Sequence, residues 1–111
     1  MAVKKEYRDV IKSILSEYAR HRPTGGEIEM ETIFDDIQGR YQLVAFGWQG
    51  KKRVHGCLIH IDVKNEKVWL QHDSTDAEIA QQLVEQGISA DQIVLGFQPE
   101  NYRRHSGFAV N

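Results

Sequence analysis

The sequence has few of the residues that crosslink a fold or anchor it in a membrane. Its single cysteine, Cys57, excludes an internal disulfide and a zinc site built from cysteines. It has only two prolines, and no apolar run approaches the roughly 18 residues that predict a transmembrane helix. We find no secretory leader at the start of the sequence, so we expect a cytoplasmic protein without a membrane segment.

A strong excess of charge of one sign is also missing. The 14 basic and 16 acidic side chains give a net charge of −2. This balance argues against a protein whose main task is to coat DNA or a membrane surface, but it leaves room for a local basic patch. The 111 residues, 41% hydrophobic and 27% charged, are typical of one soluble domain that spans residues 1–111.

The hydrophobic pattern predicts an α+β fold that begins with a helix and continues as a meander. From Val3 to about Arg20, apolar residues recur at steps of three and four, which indicates an amphipathic helix. The segment His21–Gly26 contains a proline and two glycines and is expected to end it. Short turns separate the next four apolar or alternating segments, which favours an antiparallel sheet. The predicted strands are Glu27–Phe34, Arg40–Trp48, Arg53–Val63 and Val68–Asp73.

A second helix is predicted after strand four, with Ser74 or Thr75 as its N-terminal cap and Gly87 at its end. Smaller elements follow it. We expect a short helical turn at Ser89–Gln92, a fifth strand at Ile93–Phe97, a loop at Pro99–His105 and a last short strand at Gly107–Val110.

Each face of the predicted sheet follows from the positions of two turns. If Gln49-Gly50 and Asn65-Glu66 are two-residue turns, alternate residues of the strands share a face. The Asn65-Glu66 turn then predicts that Asp62 pairs with Trp69, His60 with Gln71 and Ile59 with His72. The predicted core face carries Val44, Phe46, Trp48, Cys57, Ile59, Ile61, Val63, Val68 and Leu70. The opposite face carries Tyr41, Leu43, Ala45, Leu58, His60, Asp62, Trp69, Gln71 and Asp73. A one-residue change of register would exchange the two sets.

The mixed composition of the opposite face favours association with another protein. A partly apolar exposed patch on a soluble protein usually marks an interaction site. The candidate partner-binding residues are Tyr41, Leu43, Leu58, His60, Asp62, Trp69 and Gln71. The alternative is that a helix or the C-terminal segment covers this face within the monomer.

Polar residues on strands three and four suggest a metal or acid–base site only weakly. In the predicted register His60, Asp62 and Asp73 share a face, whereas His72 points to the other side. Because no further strong ligand is evident, we expect cross-strand hydrogen bonding and predict no catalytic residue, metal or cofactor. Cys57 is interpreted as an inert residue of the core.

Two basic clusters are candidates for contact with phosphate. Lys51, Lys52 and Arg53 lie at a predicted hairpin tip, and Arg103 and Arg104 lie in the late loop. The net charge and the lack of interleaved aromatic residues weigh against direct DNA binding, which stays open as an alternative.

Several segments, taken in order, resemble the XisI family, the fdxN element excision controlling factors. The likeness covers nearly the whole chain, including the amphipathic start, and depends on the order and spacing of the segments. They are Arg40–Val44, Gly47-Trp48, Arg53–Cys57, His60–Lys64, Lys67–Gln71, Asp73–Asp76, Ile93–Phe97 and Phe108–Val110. The turn Asp73-Ser74-Thr75-Asp76 lacks the glycine of the family's usual Asp-Gly-Thr-Glu.

The resemblance implies an accessory, non-enzymatic role in the excision of a DNA element by a separate recombinase. It also implies a second small protein as partner, XisH, which resembles nuclease-fold proteins. No catalytic residues are carried over. The alternatives are an antitoxin-like inhibitor of a nuclease-like partner, a direct DNA-binding factor and an uncharacterised enzyme. A homo-oligomer is compatible with the association face.

Overall fold

The computed structural model describes the backbone of residues 2–20 and 27–111 and the side chains of residues 7–20 and 27–111. Within these ranges the fold is α+β, as predicted, with an N-terminal helix, a five-stranded sheet and later helices. The elements are α1 (Ala2–Arg20), β1 (Glu27–Asp35), β2 (Arg40–Gln49), β3 (Lys52–Lys64), β4 (Lys67–Asp73), α2 (Ile79–Glu85), β5 (Ile93–Leu95) and α3 (Glu100–Arg103). The helix break predicted at His21–Gly26 lies outside the described residues.

The five strands are ordered β1-β2-β3-β4-β5 in one sheet. The first four pair antiparallel because short turns join them, whereas β5 returns after α2 and pairs parallel to β4. The predicted fifth strand is confirmed but ends at Leu95, and the predicted last strand is reduced to a single parallel bridge between Val94 and Ala109. The predicted loop at Pro99–His105 contains α3.

The core lies between one sheet face and the helices α1 and α2. In α1, Ile11 and Leu15 are fully buried one helical turn apart. They belong to the same hydrophobic cluster as Ile59 and Ile61 of β3 and Leu83 of α2. Apolar periodicity in the sequence therefore identified the buried side of α1 correctly.

The predicted faces of β2 are exchanged in the structure, and the cause is a β-bulge in β3. Leu43 pairs with Ile59 but Val44 pairs with Cys57, so Leu58 is an extra residue on β3. This extra residue turns Cys57 to the face opposite Ile59, and Leu58 packs against the core cluster. The β2 residues that face the core are therefore Tyr41, Leu43 and Ala45, not Val44, Phe46 and Trp48.

The position of the β2–β3 turn is not the reason why the faces of β2 were predicted incorrectly. Gln49 pairs with Lys52, so the two turn residues are Gly50 and Lys51, one position later than predicted. Such a shift moves each pairing by two residues and leaves the faces unchanged, because side chains alternate with period two.

A second bulge, in β4, makes the observed pairing of His60 differ from the predicted one. The predicted pair Asp62 and Trp69 is confirmed, but the register shifts after Ile61, and His60 pairs with His72 rather than with Gln71. The two histidines therefore share a face. Asp73 pairs instead with Ile59 of the core face.

The start of α2 also differs from the prediction. The N-terminal cap position is Glu78, in a left-handed conformation, rather than Ser74 or Thr75. The Asp73 carboxylate accepts hydrogen bonds from the Thr75 backbone N–H at 2.9 Å and the Thr75 hydroxyl at 2.6 Å, and from the Ile79 backbone N–H at 3.4 Å. Asp73 thus organises the turn into α2.

Candidate functional site

The candidate site is the sheet face opposite α1, called here the outer face. On β2 this face carries Val44, Phe46 and Trp48, which we call the apolar row. Val44 and Phe46 are half-buried, and Trp48 is 46% exposed. None of the three belongs to the hydrophobic core cluster or packs against it. The apolar row therefore lies on the side of β2 away from the core and is partly open to solvent.

An acidic row borders the apolar row on the edge strand β1. Glu27, Glu29 and Glu31 are all exposed, and they lie on the outer face because β1 alternates as the sequence predicted. They pair across the strands with Trp48, Phe46 and Val44, respectively. No ion pair among the described residues involves these three glutamates. Their charges are therefore available to a ligand or partner.

A third row, on β3, completes the site with residues that are basic or weakly polar. Arg53, His55 and Cys57 pair with Trp48, Phe46 and Val44 of the apolar row, respectively. The Arg53 guanidinium carbon lies 5.4 Å from the centroid of the Trp48 ring, a favourable cation–π contact. Each set of three cross-strand partners thus consists of a glutamate on β1, an apolar residue on β2 and a residue of the third row on β3.

Cys57 lies in the third row rather than in the core. Its Sγ donates to the Ile59 carbonyl at 3.3 Å across the bulge. Partial burial raises the pKa of the Cys57 thiol, and the hydrogen bond to the Ile59 backbone opposes this with a smaller effect. The raised pKa keeps the thiol protonated and unreactive at neutral pH.

A polar cluster lies beside the three rows, centred on the Asp62 carboxylate. His60 Nε2 lies 3.0 Å from Asp62 Oδ1, and Gln71 Nε2 donates to Asp62 Oδ2 at 3.2 Å. Arg40 Nε is 3.8 Å from the same carboxylate. His60 and Asp62 both lie on β3, whereas Gln71 lies on β4, so the bond from Gln71 is the cross-strand hydrogen bonding that the sequence predicted. Within residues 2–20 and 27–111, no three His, Cys, Asp or Glu side chains are grouped as metal ligands.

The C-terminal segment covers the part of the outer face over β4. Lys64 Nζ and the Arg103 guanidinium carbon lie 4.5 and 5.5 Å from the Trp69 ring centroid. Arg103 also donates to the carbonyls of Gln98 at 2.9 Å and Val110 at 3.0 Å. Intramolecular covering, the alternative considered from the sequence, thus holds for Trp69. Trp69 Nε1 is buried without a hydrogen-bond partner among the described residues.

The other predicted site residues separate into buried and exposed groups. Tyr41 and Leu43 have no exposed surface, so their prediction as residues of the open face is wrong. The cause is the bulge at Leu58, which exchanges the two faces of β2. Lys51, Lys52 and Arg53 are exposed at the β2–β3 hairpin tip, as predicted, and Arg104 is exposed. Arg103 is half-buried, and its hydrogen bonds to backbone carbonyls occupy it within the molecule.

Sequence reasoning missed the apolar row as part of an open face. The alternation along Arg40–Gln49 separates two sets of residues, but both sets contain large apolar side chains. Composition could not decide which set faces α1. The exposed glutamates of β1 were the available signal, because they pair across the strands with the apolar row.

The described fold is that of a small α+β domain with one sheet face partly open. The family model of the XisI protein matches residues 1–110, and the chain belongs to the XisI family. A solved structure of an XisI-like protein from Anabaena variabilis ATCC 29413 has 34% sequence identity and a TM-score of 0.91, covering 97% of this chain and 99% of that chain.

A second solved structure extends the likeness. The fdxN element excision controlling factor XisI from the same organism has 28% identity and a TM-score of 0.83, covering 98% of this chain and 99% of that chain. No curated protein matches this sequence. In the part of the chain that the structure describes, no helix has the length and apolar character needed to cross a membrane.

Proposed function

We propose that this protein is a non-enzymatic accessory factor that acts through protein contacts made by its outer face. The partner expected from the family resemblance is an XisH-like protein, and the process is the excision of a DNA element by a separate recombinase. The XisI of Anabaena variabilis, a solved structure to which the chain is similar, is described as an excision controlling factor, which supports this assignment.

The observation that carries the proposal is the open apolar row. Trp48 is 46% exposed on a strand whose other face is buried, and charged residues border it on both neighbouring strands. Large aromatic residues with a polar rim are the composition typical of protein interfaces. The row gives a partner an apolar anchor and charged groups for orientation.

The hydrogen bonds made by the acidic side chains of β3 and β4 support a non-enzymatic role. Asp62 accepts hydrogen bonds within the polar cluster, and Asp73 is occupied at the start of α2. Both carboxylates serve the fold, which is consistent with a protein that binds rather than catalyses.

Co-expression with an XisH-like protein, followed by size-exclusion chromatography, tests the proposal. We expect the two proteins to co-elute and Trp48→Glu to separate them, because a buried unpaired carboxylate opposes association. The matched control is Ile37→Glu, which changes an apolar residue that is 93% exposed in the β1–β2 turn. Separate elution of the wild-type proteins at micromolar concentration would contradict the proposal.

Direct DNA contact is a second candidate, favoured by the exposed hairpin tip. Lys51 and Lys52 carry two charges at the end of the β2–β3 hairpin, where they can reach phosphate groups. The double variant Lys51→Glu/Lys52→Glu is expected to abolish any salt-dependent gel shift. Arg20→Glu serves as a control, because it reverses a charge at an exposed site at the end of α1, outside both basic clusters. Absence of a shift with the wild-type protein at low salt excludes this candidate.

An antitoxin-like role is a variant of the first proposal and has its own readout. If the XisH-like partner alone arrests growth and this protein relieves the arrest, association serves inhibition of a nuclease-like protein. If the partner alone is harmless, control of excision is favoured.

A further inference from the structure

We propose that the outer face binds a second copy of this chain, forming a symmetric dimer through the three rows. The inference rests on the proposed function, since it uses the same open face, and it names a second copy as the occupant of that face when no XisH-like protein is bound. The observation behind it is the order of the residues across β1, β2 and β3. Glutamates lie on one side of the apolar row and the third row lies on the other.

This order makes the face complementary to itself. Consider a two-fold axis that runs parallel to β2, between two outer faces packed against each other. The axis places β1 of each copy over β3 of the other and places β2 over β2. Glu27 of one copy then meets Arg53 of the other, and Glu29 meets His55. Each apolar row packs against its own equivalent, which buries both copies of Trp48.

Charge complementarity distinguishes this dimer from pairing of edge strands. If two β1 strands paired antiparallel along their whole length, Glu31 would oppose its own equivalent and Glu27 would oppose Asp35. Like charges directly opposite each other destabilise such a pair, and charged edge strands generally resist pairing. Face-to-face packing instead places Glu27 opposite Arg53, which neutralises that glutamate, and Glu29 opposite a histidine that can donate a hydrogen bond. The glutamates have no ion-pair partner among the described residues of one chain.

The size of the face predicts a reversible dimer. Three strands about 4.8 Å apart, with about 3.3 Å per residue along each strand, give a face smaller than the roughly 800 Å² per partner of a standard interface. We therefore expect a dissociation constant in the micromolar range, on the order of 10 µM.

A charge exchange between Glu27 and Arg53 tests the dimer and its symmetry. Within one chain the two residues lie on strands separated by β2, so they are not neighbours, and both are exposed. Glu27→Arg alone and Arg53→Glu alone each place like charges together across the two-fold axis. We expect each to weaken self-association about tenfold or more, and the double variant to restore it.

Sedimentation equilibrium of the purified chain, from about 1 to about 200 µM, measures the effect. The matched control is Glu85→Arg, the same charge change at an exposed position at the end of α2, which should self-associate like the wild type. Circular dichroism of each variant verifies folding. A wild-type chain that stays monomeric throughout, or a double variant no stronger than the single variants, would overturn the inference.

Failure of this inference and failure of the proposed function are distinguishable. Sedimentation uses the chain alone, whereas the proposed function is tested with the XisH-like protein. Self-association without partner binding supports the dimer and contradicts the XisH-like partner. Partner binding by a monomeric chain supports the proposed function and contradicts the dimer.

Discussion

Neighbouring residues on β2 contribute very differently to stability, because they face opposite sides of the sheet. Leu43 is fully buried in the core, whereas Val44 is half-buried on the outer face. Leu43→Ala leaves a cavity between the sheet and the helices, so we expect a loss of about 2–5 kcal/mol in the free energy of unfolding. Val44→Ala is expected to cost less than about 1 kcal/mol.

Urea denaturation followed by circular dichroism compares the two variants directly. The contrast also tests the bulge at Leu58, since a regular β3 would bury Val44 and expose Leu43. Equal losses, or a larger loss for Val44→Ala, would show that the faces of β2 are assigned incorrectly.

At the scale of elements, α1 is fastened to the β1–β2 turn by a network around Asp36. Lys12 Nζ and the Tyr41 hydroxyl each donate to the Asp36 carboxylate at 2.8 Å. The hydrogen bond from Lys12 is the largest cause of the lowered pKa of Asp36, and the bond from Tyr41 adds to it. The carboxylate therefore stabilises the native state while it is ionised.

This lowered pKa predicts how stability depends on acid pH. The contribution of Asp36 is present above its ordinary pKa of 3.8 and is lost as the pH falls through the still lower native pKa. Asp36→Asn should lower the urea midpoint at pH 7 and flatten the loss of stability below about pH 4. A variant with the wild-type midpoint and the wild-type acid profile would contradict the role of the network.

Arg103 is one of the residues that hold the C-terminal segment to the sheet, together with the backbone hydrogen bond from Ala109 to Ile93. The Arg103 guanidinium donates to two backbone carbonyls and stacks on Trp69. Arg103→Ala should destabilise the protein by about 1–3 kcal/mol and increase amide exchange across Phe108–Val110. The adjacent Arg104 is exposed, and Arg104→Ala should change stability by less than about 0.5 kcal/mol. Similar exchange in the two variants would refute this role of Arg103.

Sequence reasoning was most successful for the boundaries of the helix and the strands. The bounds of α1 and of the first four strands were predicted to within one or two residues, because hydrophobic periodicity follows burial on one side of an element. The faces of β2 and the partner of His60 could not be predicted in this way. Each depends on one bulge residue, Leu58 or Gln71, and neither position carries a sequence signal for a bulge.

The turn into α2 was mispredicted for a related reason. Ser74 and Thr75 have the composition of N-terminal caps, but the bonds from Thr75 to Asp73 hold the turn before the helix begins at Ile79. The association face stays a prediction. Of its predicted β2 residues, Tyr41 and Leu43 are buried in the core, and the open side of β2 carries Val44, Phe46 and Trp48.

At the scale of the whole molecule, the described chain covers the two sides of its sheet unequally. Helices α1 and α2 bury one side, and on the other the C-terminal segment reaches Trp69 while Trp48 remains exposed. We expect association to cover the apolar row. Trp48 is a natural reporter, since the sequence has only one other tryptophan, Trp69.

Acrylamide quenching of Trp48 fluorescence in a Trp69→Phe background tests this expectation most directly. This replacement should be tolerated, because it removes an indole N–H that has no hydrogen-bond partner in the described structure. We predict strong quenching in dilute solution and at least about twofold weaker quenching when the chain is concentrated or mixed with an XisH-like protein, because association shields the ring. Quenching that is equally strong in dilute, concentrated and mixed samples would contradict the account.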